Sequence, residues 1–131
     1  AHGPGIRITI ADPDVKATSP VLLDAIQELR DAGAEAIQVD DVRIVASSHF
    51  GQGANGLEID GKRVKQPYTI TAIGDPTTMS SAMEIPGGLS ENIRGLGATI
   101  GITQAKELTV GALHLLSEPR YARPVPSAPK P

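Results

Sequence analysis

A strict alternation of apolar and polar side chains near the start of the chain most constrains its fold. Ile6, Ile8 and Ile10 alternate with Arg7 and Thr9, which is the period-two pattern of a strand with one buried face. Aromatic residues make up only 2% of the sequence, so the core behind this strand must be aliphatic. A chain of 131 residues is long enough for one such core.

Three helices are predicted from caps and apolar stripes. Ser19-Pro20 combines an N-cap hydroxyl with a proline at the first helical position, and Gly33 is placed to be the left-handed residue that follows the helix. Asp75-Pro76 repeats the cap and begins a second helix that runs to about Met83. The expected stripes are Leu22, Leu23, Ile26 and Leu29 in the first helix, and Leu89, Ile93 and Leu96 in the third.

Two short hairpins are predicted between the first and second helices. Asp40-Asp41 separates two apolar runs, and Asp60-Gly61 suits a type I′ turn between Leu57 and Val64. The two hairpins resemble each other at an offset of 20 residues, and shared turn chemistry explains this better than a duplication. Further strands are expected at Tyr68–Ile73 and from Thr99 to about Val110.

The resulting order, β-α-β-β-β-β-α-α-β, predicts an α+β fold. Its short connections favour a mainly antiparallel sheet with helices on one face, in a ferredoxin-like (split βαβ) arrangement with extra hairpin strands. We expect a single domain over residues 1–115, followed by a Pro-rich tail over residues 116–131 that is disordered or packed as an extended arm. The second face of the sheet would stay solvated or meet a partner.

Charge and composition exclude several classes of function. The net charge is −3 and aromatic residues are scarce, so no nucleic-acid partner is expected. The sequence has no cysteine, which excludes disulfides, thiolate catalysis and Cys-based metal sites. No apolar stretch reaches the roughly 18–20 residues that span a bilayer. Because the chain opens on Ala1-His2 without an initiator Met, we interpret it as part of a longer protein.

A glycine-rich segment spells the letters of a dinucleotide-binding fingerprint. Gly51-Gln52-Gly53-Ala54-Asn55-Gly56 reads G-x-G-x-x-G, and Asp75 follows 19 residues later. That fingerprint needs its glycines to open a helix whose N-terminus receives the pyrophosphate. Here a hairpin is predicted to follow, and Asp75 is better explained as a helix cap. The segment is therefore predicted to be a flexible surface loop.

The histidines and serines suggest catalysis only weakly. His2, His49 and His114 are not spaced three or four residues apart, so they form no helical metal clip. His49 could pair with Ser47-Ser48 and Asp41 as a hydrolytic triad, but the sequence lacks a G-x-S-x-G elbow. Solvated polar residues at a strand end are the better interpretation.

A set of four acidic residues and a set of four basic residues are also better explained by structural roles. No catalytic, cofactor-binding or metal-ligating residue is therefore predicted. The acidic group lacks the alternating ligands of a calcium loop. The basic group could form a modest anion-binding patch if the two hairpins are neighbours. The acids are Asp12, Asp14, Asp40 and Asp41, and the bases are Arg43, Lys62, Arg63 and Lys65.

Several segments resemble a known bacterial family. They are Gly3–Ile6, Leu29–Ile37, the paired hairpins, Pro67–Pro76 and Pro86–Gly88. Together they resemble the YlxW/YlxX-like domain of unknown function found in Gram-positive and especially actinobacterial proteins. The likeness spans about residues 3–113, and its most specific part is the block Ala72-Ile73-Gly74-Asp75-Pro76. At Asp40-Asp41 the resemblance leads us to expect Asn-Gly, so the type of the first turn is left open.

The resemblance implies an N-terminal membrane anchor, often a coiled coil, and a location outside the cytoplasm, encoded near division or envelope genes. It supplies no catalytic or ligand residues. The sequence therefore predicts a non-enzymatic, extracytoplasmic interaction or scaffold domain at the cell membrane, which binds a protein partner or associates with itself as a homodimer. The alternative is a small-ligand-binding or hydrolytic module that uses residues 47–56, including His49 and Asn55.

Overall fold

The computed structural model describes residues 1–12, 19–53 and 56–111, so the predicted tail over residues 116–131 lies outside the described residues. No helix in these ranges has the length and apolarity needed to cross a bilayer. In chain order, the elements are β1 (His2–Ala11), α1 (Ser19–Asp31), β2 (Ala36–Val39), β3 (Val42–Ile44), β4 (Phe50–Gly53), β5 (Gly56–Ile59), β6 (Lys62–Arg63), β7 (Tyr68–Ile73), α2 (Pro76–Glu84), α3 (Leu89–Gly95) and β8 (Thr99–Thr109).

The larger sheet has five strands in the order β3-β2-β7-β1-β8, and every neighbouring pair is antiparallel. β1 and β2 are joined through α1 and lie on either side of β7, while β7 and β8 are joined through α2 and α3 and lie on either side of β1. The three helices contact one another, as expected for helices that share one face of the sheet. The predicted α+β class with a mainly antiparallel sheet is confirmed, and its ferredoxin-like detail stays a prediction.

A second sheet of three strands, in the order β4-β5-β6, was only partly predicted. The sequence pattern indicated four strands between α1 and α2, whereas the structure has six. One of the additional strands is β4, which lies in the glycine-rich segment that was predicted to be a loop. Gly51 pairs with Glu58, and Gly53 pairs with Gly56. Backbone pairing with β5 places these glycines in a strand despite their low intrinsic preference for one.

The main core lies between the larger sheet and the helices. Ile6, Ile8 and Ile10 are fully buried in it, and Ile8 lies between Ile70 of β7 and Ile102 of β8. The predicted alternation in β1 is therefore confirmed.

One residue of the first helix that was predicted to lie in the core is exposed. Leu22, Ile26 and Leu29 are buried, as a helical stripe requires, but Leu23 is 37% exposed. Leu23 lies about 100° around the helix from Leu22, which takes its side chain off the buried stripe.

Turns and caps follow the local chemistry. Gly33 follows α1 at φ 94°, and the Asp75 carboxylate caps α2 by accepting the Thr77 N–H at 3.1 Å. Asp60 and Gly61 have φ of 52° and 77°, the positive values that a type I′ turn requires. In the first hairpin only Asp40 has a positive φ, at 52°. The two similar hairpins therefore differ in their turns.

The last part of β8 crosses the sheet face opposite the helices. The β1–β8 register shifts between Gly3 and Gly5, and beyond this irregularity a small apolar cluster forms from Ala36, Ile73, Leu108 and Val110. The Gly111 N–H then donates to the Gln38 side chain at 2.9 Å. The end of the described chain therefore covers one part of a face on which Arg7, Thr9 and Thr103 remain exposed.

Candidate interaction surface

The glycine-rich segment does not have the structure of a dinucleotide site. Gly51 and Gly53 lie in β4 and Gly56 begins β5, so no helix opens at the motif. Asp75 belongs to the N-cap of α2, where its carboxylate also accepts the Thr78 hydroxyl at 2.9 Å. The motif lacks the strand-to-helix turn on which phosphate binding depends. Ala54 and Asn55 lie outside the described residues.

A small pocket lies beside this hairpin. Its volume is about 170 Å³, and it is lined by His49, Phe50, Gly51, Gln52, Glu58 and Gly61. Two hydrogen bonds join His49 to Asp60 beside the pocket: the His49 N–H donates to the Asp60 carboxylate, and the Asp60 N–H donates to the His49 carbonyl, each at 2.8 Å. Pockets for drug-sized ligands are usually about 300–1,000 Å³, so this one suits only a small group.

The residues of the conceivable triad are not joined. The Ser48 hydroxyl accepts the Val45 N–H at 2.8 Å, so its oxygen is used in a turn. Among the described residues, no hydrogen bond links the His49 ring to Ser47, Ser48 or Asp41. A nucleophile and its base must lie within hydrogen-bonding reach, and this arrangement does not provide that geometry. His114 lies outside the described residues.

Among the four acidic residues, Asp40 uses its carboxylate to bind backbone groups. One oxygen of the Asp40 carboxylate accepts the Lys65 N–H at 2.8 Å, and the other accepts the Thr69 N–H at 3.0 Å. The backbone of buried Asp12 exchanges hydrogen bonds with the Gln66 side chain at 2.6 and 2.7 Å. In the part of the chain that is described, no three His, Cys, Asp or Glu side chains form a group that could hold a metal ion. Asp14 lies outside that part.

The four basic residues do not share one sheet, and Lys65 lies between β6 and β7, outside both sheets. Arg43 lies in β3 of the larger sheet, where its guanidinium donates to the Gly111 carbonyl at 2.9 Å. Lys62 and Arg63 lie in β6 of the smaller sheet and are exposed. Because the two hairpins belong to different sheets, these basic side chains do not lie side by side on paired strands.

The free edge of β8 is the most extensive unpaired feature of the described fold. β8 spans Thr99–Thr109 and pairs with β1 on one side, and no other described strand pairs with it. The edge segment, defined as Thr99–Ala105, contains neither a charged residue nor a proline. Proteins usually protect edges with charges, prolines or very short strands. The opposite edge, β3, has only three residues, so the two edges differ sharply.

Sequence patterns predicted strand β8 but not its position at an edge. Alternation indicates that Ile100 and Ile102 share one face of a strand, and both pack half-buried against the core. The neighbours of a strand are chosen by long-range packing, so no local signal reports which strand is outermost. The run Thr99–Ala105 within this strand, which has no charged residue or proline, was the one available hint.

Comparison with known proteins gives the chain a family. The profile of DUF881, described as a bacterial protein of unknown function, matches residues 1–123. UPF0749 protein Rv1825 of Mycobacterium tuberculosis is 41% identical over 129 residues, which cover 95% of this chain and 44% of that protein. UPF0749 protein YlxW of Bacillus subtilis is 26% identical over 102 residues, which cover 70% of this chain and 44% of that protein. The predicted resemblance to YlxW-like proteins is confirmed.

A solved structure supports the same assignment. The crystal structure of an uncharacterised conserved protein from Mycobacterium tuberculosis has a TM-score of 0.83 and 41% sequence identity, and the match covers 95% of this chain and 90% of that one. The chain spans less than half the length of these curated relatives. Because the family profile matches residues 1–123, the chain belongs to the DUF881 family of bacterial proteins of unknown function.

Proposed function

We propose that this chain is a non-enzymatic protein-interaction domain on the extracytoplasmic side of a membrane-anchored, envelope- or division-associated protein. The observation that carries the proposal is the free, uncharged edge of β8 over Thr99–Ala105. An exposed edge presents unpaired N–H and carbonyl groups that can add a strand from a partner. An interaction at this edge would therefore complete the backbone pairing of the sheet.

The absence of an enzymatic role is supported by how the polar side chains are used. Three polar residues that were candidates for metal binding, catalysis or nucleotide binding each accept a backbone N–H. They are Asp40, Ser48 and Asp75. A carboxylate or hydroxyl held in a turn or cap stabilises the fold and is poorly placed to act on a substrate. These contacts favour binding over catalysis.

Membrane attachment is supported by the length of the relatives. The matched region covers 44% of Rv1825 and of YlxW, so more than half of each protein lies outside it. That remainder is long enough for the membrane anchor and coiled coil that the family resemblance implies.

Reporter fusions test the proposed location. We expect a fusion of alkaline phosphatase to the C-terminus of the full-length gene product to be active, because this enzyme matures only outside the reducing cytoplasm. A matched fusion to a reporter that works only in the cytoplasm should be inactive. The opposite pattern of activities would contradict the extracytoplasmic assignment.

Site-directed crosslinking tests the interaction. A photocrosslinking amino acid at Thr103 in β8, introduced in the full-length protein in cells, should give a discrete adduct with a protein that mass spectrometry identifies. The same amino acid at Ser81, which is exposed on α2, should not give that adduct. Equal labelling at both positions, or none at Thr103, would count against an interaction at the β8 edge.

The second candidate function is binding or hydrolysis of a small ligand at the pocket beside His49 and Glu58, which has a volume of about 170 Å³. It predicts thermal stabilisation by a ligand, worth about 2.7 kcal/mol at 100 times the dissociation constant. A thermal-shift screen of nucleotides, divalent metals, muropeptides and glycans measures this. A ligand that stabilises the native chain but not His49→Ala would establish the second function, and a silent screen would remove it.

A further inference from the structure

We propose that the β8 edge pairs with the β8 edge of a second copy of this chain, antiparallel, about a two-fold axis at Ile102. This inference rests on the proposed interaction function and names its partner. The resulting dimer would extend the five-stranded sheet into one continuous sheet across both copies. The register follows from the directions of the backbone groups, which two observed hydrogen bonds determine.

The first step is the backbone direction in β1. The Gly74 N–H donates to the Pro4 carbonyl at 2.9 Å, so the carbonyl of Pro4 points toward β7. The Asp40 N–H donates to the Thr69 carbonyl at 2.7 Å, so the backbone of Thr69 points toward β2 and away from its β1 partner, Thr9. Backbone groups alternate sides along a strand. Both bonds therefore imply that odd-numbered β1 residues, from Gly5 onward, direct their backbone groups toward β8.

The second step carries this direction across to β8. The partners of the odd-numbered β1 residues must point back toward β1, and the residues between them point outward. The inward residues are Thr99, Gly101, Thr103 and Ala105. The outward backbone groups are therefore the N–H and carbonyl of Ile100, Ile102 and Gln104.

The third step is the register of self-pairing. Hydrogen bonds can form only where outward groups of one copy meet outward groups of the other, and a two-fold axis at Ile102 uses all of them. Ile102 then faces its own copy, and Ile100 faces Gln104 of the second copy. Each such pair can exchange two backbone hydrogen bonds, as in an ordinary antiparallel ladder.

The side chains favour this pairing. Ile102 packs at the margin of the helix-side core, so the axis would join the two cores through an Ile–Ile contact. On the other face Gly101 would lie opposite Thr103, a small residue beside a β-branched one. Strands that pair with their own copies bring like charges together near the axis, and Thr99–Ala105 contains no charge. The edge is thus self-complementary.

The other edge of the larger sheet does not offer an equivalent surface. β3 is only three residues long and contains Arg43, whose guanidinium is bonded to Gly111. In β8 itself the uncharged segment ends at Lys106 and Glu107, where the register of pairing with β1 is irregular. Charges and bulges are the features that prevent edge pairing, so pairing is confined to the segment centred on Ile102.

The first test is the oligomeric state of the purified 131-residue chain by sedimentation velocity over a concentration series. We expect a reversible monomer–dimer equilibrium. Gln104→Pro removes an outward N–H and leaves the bonds to β1 in place, which edge strands tolerate. It should weaken dimerisation by about tenfold or more, since it removes two of the pairing bonds, one donated by each copy. The matched variant Gln104→Ala keeps the N–H and should dimerise like the native chain.

The second test uses the absence of cysteine from the sequence. Ile102→Cys places two thiols across the axis, with Cα atoms about 5.5 Å apart in a hydrogen-bonded pair, which is within the range of a disulfide. Mild oxidation should therefore give a covalent dimer. Gln104→Cys is the control, because its two copies would lie about 13 Å apart along the strands. This arm still reports the register if Gln104→Pro fails to fold.

The outcomes separate this inference from the function on which it rests. A dimer that is indifferent to Gln104→Pro and crosslinks no better through Ile102→Cys than through Gln104→Cys would overturn the β8 register, while self-association would stand. A chain that stays monomeric at every concentration would overturn the second copy as partner. In that case, a crosslink from position 103 to a different protein would still support the proposed interaction function, although the second copy would be excluded as its partner.

Discussion

Asp40 combines two roles at one position. Its φ of 52° lies in the left-handed region, which Asp and Asn tolerate better than most residues. Its carboxylate accepts N–H groups from Lys65 and Thr69, which lie 25 and 29 residues further along the chain. The side chain thus fastens the β2–β3 turn to the segment that enters β7.

We expect Asp40→Ala to lower the free energy of unfolding by about 1–3 kcal/mol, because it leaves backbone donors without their charged acceptor. Asp40→Asn keeps an acceptor oxygen and should cost less. Asp41→Ala, at an exposed neighbour in the same turn, should cost almost nothing. Urea denaturation measures all three, and an equal loss for Asp41→Ala would contradict the role assigned to Asp40.

Gly5 is required by close approach of two strands. A Cβ atom there would lie 1.9 Å from the Ala72 carbonyl oxygen, which is backbone and cannot move aside without disturbing β7. We expect Gly5→Ala to destabilise the fold by about 3 kcal/mol, at the upper end of overpacking effects. Gly101→Ala is the matched strand control, since a Cβ at Gly101 meets nothing within 4 Å. If Gly5→Ala and Gly101→Ala lost similar amounts of stability in thermal unfolding, the predicted clash at Gly5 would be contradicted.

Tyr68 gives the fold a dependence on alkaline pH. Burial raises the pKa of its phenol above the ordinary 10.0, and the charges of Asp12 and Asp40 add to this, whereas a hydrogen bond with Gln66 lowers it. Because the folded-state pKa is the higher one, the unfolded chain loses this proton first as the pH rises. The contribution of Tyr68 to stability is therefore complete below pH 10.0 and declines above it.

Unfolding in urea from about pH 8 to about pH 11 measures this effect. We expect the free energy of unfolding of the native chain to fall more steeply above pH 10 than that of Tyr68→Phe, which has no proton to lose there. Identical slopes would contradict the raised pKa.

At the scale of the elements, α2 depends on a side-chain cap. Asp75 accepts the Thr77 N–H and the Thr78 hydroxyl, and Pro76 occupies a position where no N–H is needed. We expect Asp75→Ala to cost about 1 kcal/mol of stability, measured as a lowered midpoint of thermal unfolding by circular dichroism. Asp75→Asn, which can still cap, should retain most of it. A greater loss for Asn than for Ala would be inconsistent with a capping role.

The predicted elements held where signals were local and strong. The structure has the predicted starts of α1 and α2, the left-handed Gly33 and the Asp60-Gly61 turn, each of which depends on residues within a few positions of one another. β4 was missed because two of its four residues, Gly51 and Gly53, have a low preference for strands. Their pairing with β5 supplies the missing stabilisation, and the two-residue spacing between Gly53 and Gly56 was the signal that could have indicated a hairpin.

At the scale of the whole molecule, the strand order determines where a partner can bind. β1 is the first strand in sequence but lies inside the sheet, flanked by β7 and β8. That placement leaves β8 with one side to which no described strand pairs, and makes its uncharged segment the candidate interaction surface. Arg43 lies in this sheet, whereas Lys62 and Arg63 lie in the smaller one, so the basic residues of the two hairpins belong to different sheets.

By itself, the sequence determined the α+β class, the aliphatic core, the Asp75 cap and most of the strands, because each depends on side chains close together in the chain. Only the tertiary structure decided the strand order, the open edge at β8, the contacts of Asp40 and the approach of Ala72 to Gly5. These features depend on which distant segments bury one another's apolar faces. That is a property of the whole packed chain, which no local pattern of residues records.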